Sequence, residues 1–223
     1  MANTLVNPSM GFQVSGRVEG ASPTEGLTPV WIASSDASTM FRGDPVFPSS
    51  APGANASGRY ITSMQNSSIV VVAGVFQGCE QFIPTVGRVV WSNSYNGSVS
   101  GSTGDIKAWI VENPDELFLV QGSTGAAITS SFIGLNISVT NNSSTGNTTL
   151  GFSNVTAASS NITASSSLPF RIVSFYSEYA PPAVPNIGTA AFVNGTDNTS
   201  PANMIIVRLN NCERLNLTAR STS

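Results

Sequence analysis

The apolar residues of this chain come in runs no longer than a strand, and a glycine, a proline or a small polar cluster closes nearly every one. The longest run, residues 69–75, would make one strand and falls far short of the roughly 20 residues a membrane helix needs. No long window carries the repeat of an amphipathic helix. Stretches rich in Thr, Val, Ile and Phe lie at 28–33, 38–41, 45–47, 58–62, 68–76, 88–91, 105–111, 117–121, 132–140, 148–152, 170–176, 190–193 and 204–209. Each is bounded by turn-forming residues. Many short strands without helical crossovers predict an all-β fold, an antiparallel β-sandwich or barrel, and argue against a parallel α/β sheet.

The domain reading follows from the same punctuation. Residues 1–25 read as an extended N-terminal arm, broken by Asn7-Pro8, Gly11, Gly16, Gly20 and Pro23, with Leu5, Val6, Phe12, Val14 and Val18 as isolated apolar anchors. Residues 26–223 read as the globular β domain, divisible near residue 122 into two packed β subdomains. Residues 51–56 read as a loop, 140–147 as a hairpin tip and 157–167 as a small-residue linker. One helical turn is expected at Asn113-Pro114-Asp115-Glu116, with Asn113 as N-cap, Pro114 at the first helical position and Glu116 as the capping-box carboxylate.

Charge narrows the functional classes. Charged residues make up only 9% of the chain, against a norm of about 25%. Ser, Thr, Asn and Gly must therefore supply the polar surface, a composition suited to a protein that ends up packed in an assembly. The net charge is −3 and the basic residues are scattered, so neither a nucleic-acid groove nor a membrane-surface role is expected. The first residues lack the basic and hydrophobic regions of a signal peptide, which predicts a protein kept in the cytoplasm of the cell that makes it. In that compartment Cys79 and Cys212 are expected to be buried thiols rather than a disulfide.

Catalytic chemistry has few candidates. The chain has no histidine, which removes Ser-His-Asp and Cys-His arrangements and histidine-based metal sites. Glu112, Asp115 and Glu116 form the single carboxylate cluster, able in principle to bind Ca²⁺ or to supply an acid/base pair, although a capped turn explains them more simply. Arg42-Gly43-Asp44 is an adhesion-type tripeptide, and a tight turn between two strands is the simpler reading. Trp31, Trp91 and Trp109 could stack on sugars, but tryptophans inside strand-like runs more often fill a core or a subunit interface. Lys107, between Ile106 and Ala108, reads as part of a solvated strand face. No catalytic residue, metal ligand or cofactor is assigned.

Several segments carry a resemblance when taken in order. The first is Asn7-Pro8-Ser9-Met10-Gly11-Phe12. Met40-Phe41-Arg42-Gly43-Asp44-Pro45-Val46 is similar to a strand of pattern F-x-G-D-x-V, and Val71 to Glu80 to one of pattern V-G-V-F-x-G-C. Asp105 to Phe118 resembles D-I-x-A-x-V-x-D-D-P-x-x-L-F, the most specific of the set, with Glu112-Asn113 where the pattern has two aspartates. The last is Met204 to Asn211, similar to a C-terminal strand. These patterns belong to a family of tailed-phage structural proteins, the capsid decoration or cement proteins. The stretch 157–167 is more serine-rich than that family leads one to expect.

The resemblance implies a non-enzymatic virion protein assembled in the host cytoplasm. It would sit as a homotrimer on the outer surface of the icosahedral head, where coat subunits meet, and stabilise the shell against the pressure of packaged DNA. Its partners would be the major capsid protein and further copies of itself. On this reading Leu5, Asn7, Pro8, Phe12 and Val14 are the capsid-contact candidates, and Trp31 and Trp109 the trimer-interface candidates. A tail or fibre protein that binds a receptor is the first rival, and a carboxylate-dependent glycan hydrolase using Glu112 and Glu116 the second.

Overall fold

A computed structural model of the chain describes residues 10–18, 20, 26–49, 58–63, 71–83, 87–97, 104–140, 146–176 and 201–215. In chain order the strands are β1 (Gln13–Arg17), β2 (Leu27–Ile32), β3 (Thr39–Phe41), β4 (Pro45–Pro48), β5 (Ile61–Ser63), β6 (Gly74–Ile83), β7 (Arg88–Ser92) and β8 (Ser94–Asn96). They continue with β9 (Ile106–Val111), β10 (Glu116–Gln121), β11 (Asn136–Val139), β12 (Gly146–Asn147), β13 (Phe152–Ser153), β14 (Ala157–Thr163), β15 (Phe170–Phe175) and β16 (Met204–Leu209). Among the described residues the sole helical element is a single 3-10 turn at Ser130–Phe132. The fold is an all-β sandwich, as the run lengths predict.

Two antiparallel sheets make the body. The first runs β1-β10-β16-β15-β11-β14. The second runs β2-β9-β6-β4-β5, with β7 paired to the far end of β6. The chain passes between them at the turn that joins β9 to β10, and β1 sends the N-terminal segment back into the first sheet. Phe118, Val120, Ile137, Phe170, Ile172, Ile205 and Val207 of the first sheet meet Phe47, Val75 and Val111 of the second in the main core. The opposite face of the second sheet has its own core. Val30, Ile32, Val46, Ile61, Phe76, Ala108 and Ile110 pack there with Met40 and Tyr95 of the two-stranded antiparallel β3–β8 sheet. The first half of β6, Gly74 to Cys79, is therefore buried on both faces, Gln77 included.

Four local readings change. Residues 13–17 are not part of an arm: they form β1, paired along β10. Phe12, 1% exposed, stacks on Phe170 with ring centroids 4.3 Å apart. The stretch 113–116 is a β-turn and not a helical one. The Glu116 N–H donates to the Asn113 carbonyl at 3.1 Å, and the Asn113 side chain accepts the Asp115 N–H, also at 3.1 Å. Glu116 then opens β10, because the ladder with β1 and β16 offers its backbone partners that a lone helical turn could not. Ala157–Thr163, read as a linker, is edge strand β14, and its Ala157 lies in the main core. Residues 148–151 are the turn between β12 and β13. The expected strand at 190–193 and the loop at 51–56 lie outside the described residues, as does most of the tip at 140–147.

Candidate functional site

The register of the second sheet sets a row of aromatic side chains on an uncovered face. In β9, Ala108 and Ile110 enter the core beneath the small β3–β8 sheet, so Lys107 and Trp109 point to the other side. Trp31 of β2 stands directly across from Lys107. Trp109 stands across from Gly78 of β6, where the register shifts between Phe76 and Gly78. This β-bulge resets the alternation, so Cys79 turns into the core while Glu80 and Phe82 turn out with the tryptophan. Glu80 and Phe82 in turn face Trp91 and Val89 across β7. Nearer β4 this same face is covered by the first sheet, through Val75 and Val111. Beyond that cover it is bare, with Phe82 42%, Val89 58% and Trp91 48% exposed.

The aromatic row is organised. The Trp91 and Trp109 rings lie 5.0 Å apart with planes tilted by 47°. Gly78 makes room for this: a Cβ there would come within 2.5 Å of Cζ2 of Trp91, so the indole lies directly on the β6 backbone. The Lys107 ammonium sits 5.1 Å from the Trp109 ring centroid, at cation–π distance. A groove of about 310 Å³ between Trp31, Lys107, Glu80, Phe82 and Val89 completes the face. Aromatic residues flanked by one cation and one anion have the make-up of an interface centre with a polar rim.

The acidic residues are engaged elsewhere. Glu112 accepts the Thr28 hydroxyl at 3.0 Å and pairs with Arg59 at 2.5 Å and Arg214 at 3.3 Å. Arg59 also pairs with Glu213 at 2.8 Å, which ties β2, the segment leading into β5, the end of β9 and the segment after β16 into one cluster. Glu116 is buried at the start of β10 and pairs with Arg17 at 3.4 Å. Glu112, Glu116 and Glu213 thus each face an arginine, whereas Asp115 stands exposed in the turn. Among the described residues no group of three or more His, Cys, Asp or Glu side chains is placed to hold a metal ion.

Arg42-Gly43-Asp44 is a turn whose acid points inward. Gly43 has φ +92°, and the Asp44 N–H returns to the Phe41 carbonyl at 2.9 Å. The Asp44 carboxyl is 3% exposed, accepts the Phe41 N–H at 2.7 Å and bonds the Ser153 hydroxyl. Burial pushes its pKa up from the ordinary 3.8 to about 7, against the two hydrogen bonds, which favour the charged form. The Gly43 carbonyl accepts the Phe12 N–H at 2.9 Å, so three distant segments meet here. A receptor could not reach this aspartate.

The remaining candidates are placed as follows. Phe12 is spent on the chain's own core and is not a free anchor for a neighbouring subunit; Val14 is half-buried against the same core. Leu5, Asn7 and Pro8 lie outside the described residues. Trp31 and Trp109 share the aromatic face, both half-buried. Cys79 and Cys212 are free buried thiols in different cores. Burial raises both, Cys79 to about 12. Sequence reasoning did not assign Trp91, Phe82, Val89 and Glu80 to this face. The apolar run Val89-Val90-Trp91 marks a strand without showing which face it exposes, and the phase of 80–82 depends on the bulge. Among the described residues no helix is long and apolar enough to cross a membrane. Comparisons with protein-family models, with curated proteins and with solved structures found no match to this chain.

Proposed function

We propose that this chain is a non-enzymatic structural protein of a tailed-phage virion, a decoration or cement protein bound to the outer surface of the head as a homotrimer. The observation that carries the reading is the bare aromatic face of the second sheet, with Trp91, Trp109, Trp31 and Phe82 gathered on rigid strands. A monomer that displays organised aromatic surface and so few charges gains by covering it. Lys107 and Glu80 on that face let one copy complement another, which suits contacts between copies. The ordered resemblance of the segments from Asn7 to Asn211 adds the family context. The major capsid protein is the second partner, and a trimer that engages several coat subunits needs only modest affinity at each.

The test uses phage heads assembled without this chain. Purified chain is added, the heads are recovered by sedimentation, and bound copies and head stability to dilution and heat are measured. Saturable binding at a simple ratio to coat subunits, with stabilised heads, is expected. Replacing Trp91 and Trp109 together by Ala should remove occupancy while far-UV circular dichroism stays unchanged. Heads that take up no wild-type chain overturn the reading, and variant occupancy equal to wild type overturns the role of the aromatic face.

A further inference from the structure

We propose that the outer face of the first sheet docks an acidic segment of a partner polypeptide, a carboxylate side chain flanked by apolar residues, and that Arg171 and Arg208 receive the carboxylate. This surface lies on a different sheet from the aromatic face, and the inference does not rest on the virion reading.

The argument starts from register. Arg171 of β15 and Arg208 of β16 are directly paired. Their neighbours Phe170, Ile172, Val207 and Leu209 point into the main core, so both arginines point out, on the same face. Directly opposed like charges on a sheet repel one another, with Cβ atoms about 5 Å apart. Among the described residues neither guanidinium has an acidic or hydrogen-bonding partner, whereas Arg17, Arg59 and Arg214 are all ion-paired. A chain with only nine basic residues has thus set two of them against each other without compensation. Local rules are broken in this way chiefly where a site needs it.

The surroundings select the ligand. Both arginines line a groove of about 290 Å³ together with Val18, Ile133, Gly134 and Val173. Val18 and Ile133 are 47% and 44% exposed, so its rim is apolar. Two guanidiniums side by side offer several N–H donors to one carboxylate in charge-assisted hydrogen bonds. The apolar rim would cover the residues on either side of that carboxylate. A second copy of this chain presenting the same face would bring four guanidiniums together, which excludes an isologous contact here. A nucleic-acid backbone needs a longer row of cations than two, on a chain that is not net negative.

The test is a titration of the full ¹⁵N-labelled chain, read by amide and arginine Nε–H shifts. The probe is an acetylated, amidated pentapeptide with one glutamate between valines. Controls are the same peptide with glutamine and inorganic phosphate. Saturable shifts confined to residues near 133–134, 171–173 and 206–208 are expected, with the glutamine peptide about tenfold weaker. Arg171→Gln and Arg208→Gln should each weaken binding by about tenfold while leaving thermal stability at low salt unchanged or raised, because each relieves the repulsion. A purely structural role for the arginines predicts the reverse on stability. Absence of saturable shifts up to about 10 mM peptide overturns the proposal. Equal binding of the glutamine peptide, or phosphate shifting the same resonances as strongly, overturns it as well.

Discussion

The buried carboxyl of Asp44 makes a stability prediction whose sign and size follow from its surroundings. Desolvation raises its pKa from 3.8 to about 7 in the folded chain. Below 3.8 the group is neutral in both folded and unfolded states, and its contribution is fully present. As pH rises from 3.8 towards 7 the unfolded chain gives up this proton and the folded chain keeps it, so stability falls. Above the folded value both states are ionised and the loss is complete. About three pH units at about 1.4 kcal/mol each amounts to about 4 kcal/mol lost across that window. The perturbation is Asp44→Asn, which cannot ionise: its single amide oxygen keeps the acceptor for the Phe41 N–H, its NH2 faces the Ser153 hydroxyl oxygen, and any constant cost of that exchange drops out of the pH dependence. Urea denaturation of both proteins from pH 4 to pH 8 isolates Asp44, since every other titrating group is common to the two. Wild type minus variant should fall by about 4 kcal/mol between pH 4 and 7 and then stay flat. A difference that is flat throughout, or that rises with pH, would show that the hydrogen bonds outweigh desolvation and refute the reasoning.

Three further outcomes are expected. Phe12→Ala, which removes a fully buried ring stacked on Phe170, should cost about 3–5 kcal/mol in denaturant unfolding; a loss below about 1 kcal/mol would return Phe12 to an arm. Arg59→Met should cost about 2–3 kcal/mol, because it leaves Glu112 and Glu213 without their shared cation, whereas Arg214→Met, at a more exposed position, should cost well under about 1 kcal/mol. Neither Cys79 nor Cys212 should react with a thiol reagent in the native protein at pH 8, and two thiols should titrate once it is unfolded; rapid native labelling of either would contradict their burial.

The sequence made the class of the fold and most strands readable, because β2, β4, β9, β10, β15 and β16 carry β-branched or aromatic runs bounded by turn residues. It hid β1 and β14. Gln-Val-Ser-Gly-Arg and Ala-Ala-Ser-Ser-Asn-Ile-Thr have little strand propensity of their own, and the ladders with β10 and β11 hold them extended. At 113–116 the local signal fits two structures equally. Asn followed by Pro suits a helix start and also the first two positions of a type I turn, and pairing of the next residues decides it. The aromatic face was half legible. The tryptophans stood out singly, but their meeting needs the bulge at Gly78 and the order β2-β9-β6-β7, which no local pattern encodes. The Arg171–Arg208 opposition is likewise a product of register between strands more than 30 residues apart in the chain.

The central claim is tested most directly by counting this chain in purified virions, by quantitative mass spectrometry against the major capsid protein. The account predicts about one copy per coat subunit or a simple lattice fraction of it, such as one third, as closed symmetry on the head requires. A few copies to some tens per particle would place the chain in the tail, neck or fibres, and its absence from the particle would contradict the account altogether.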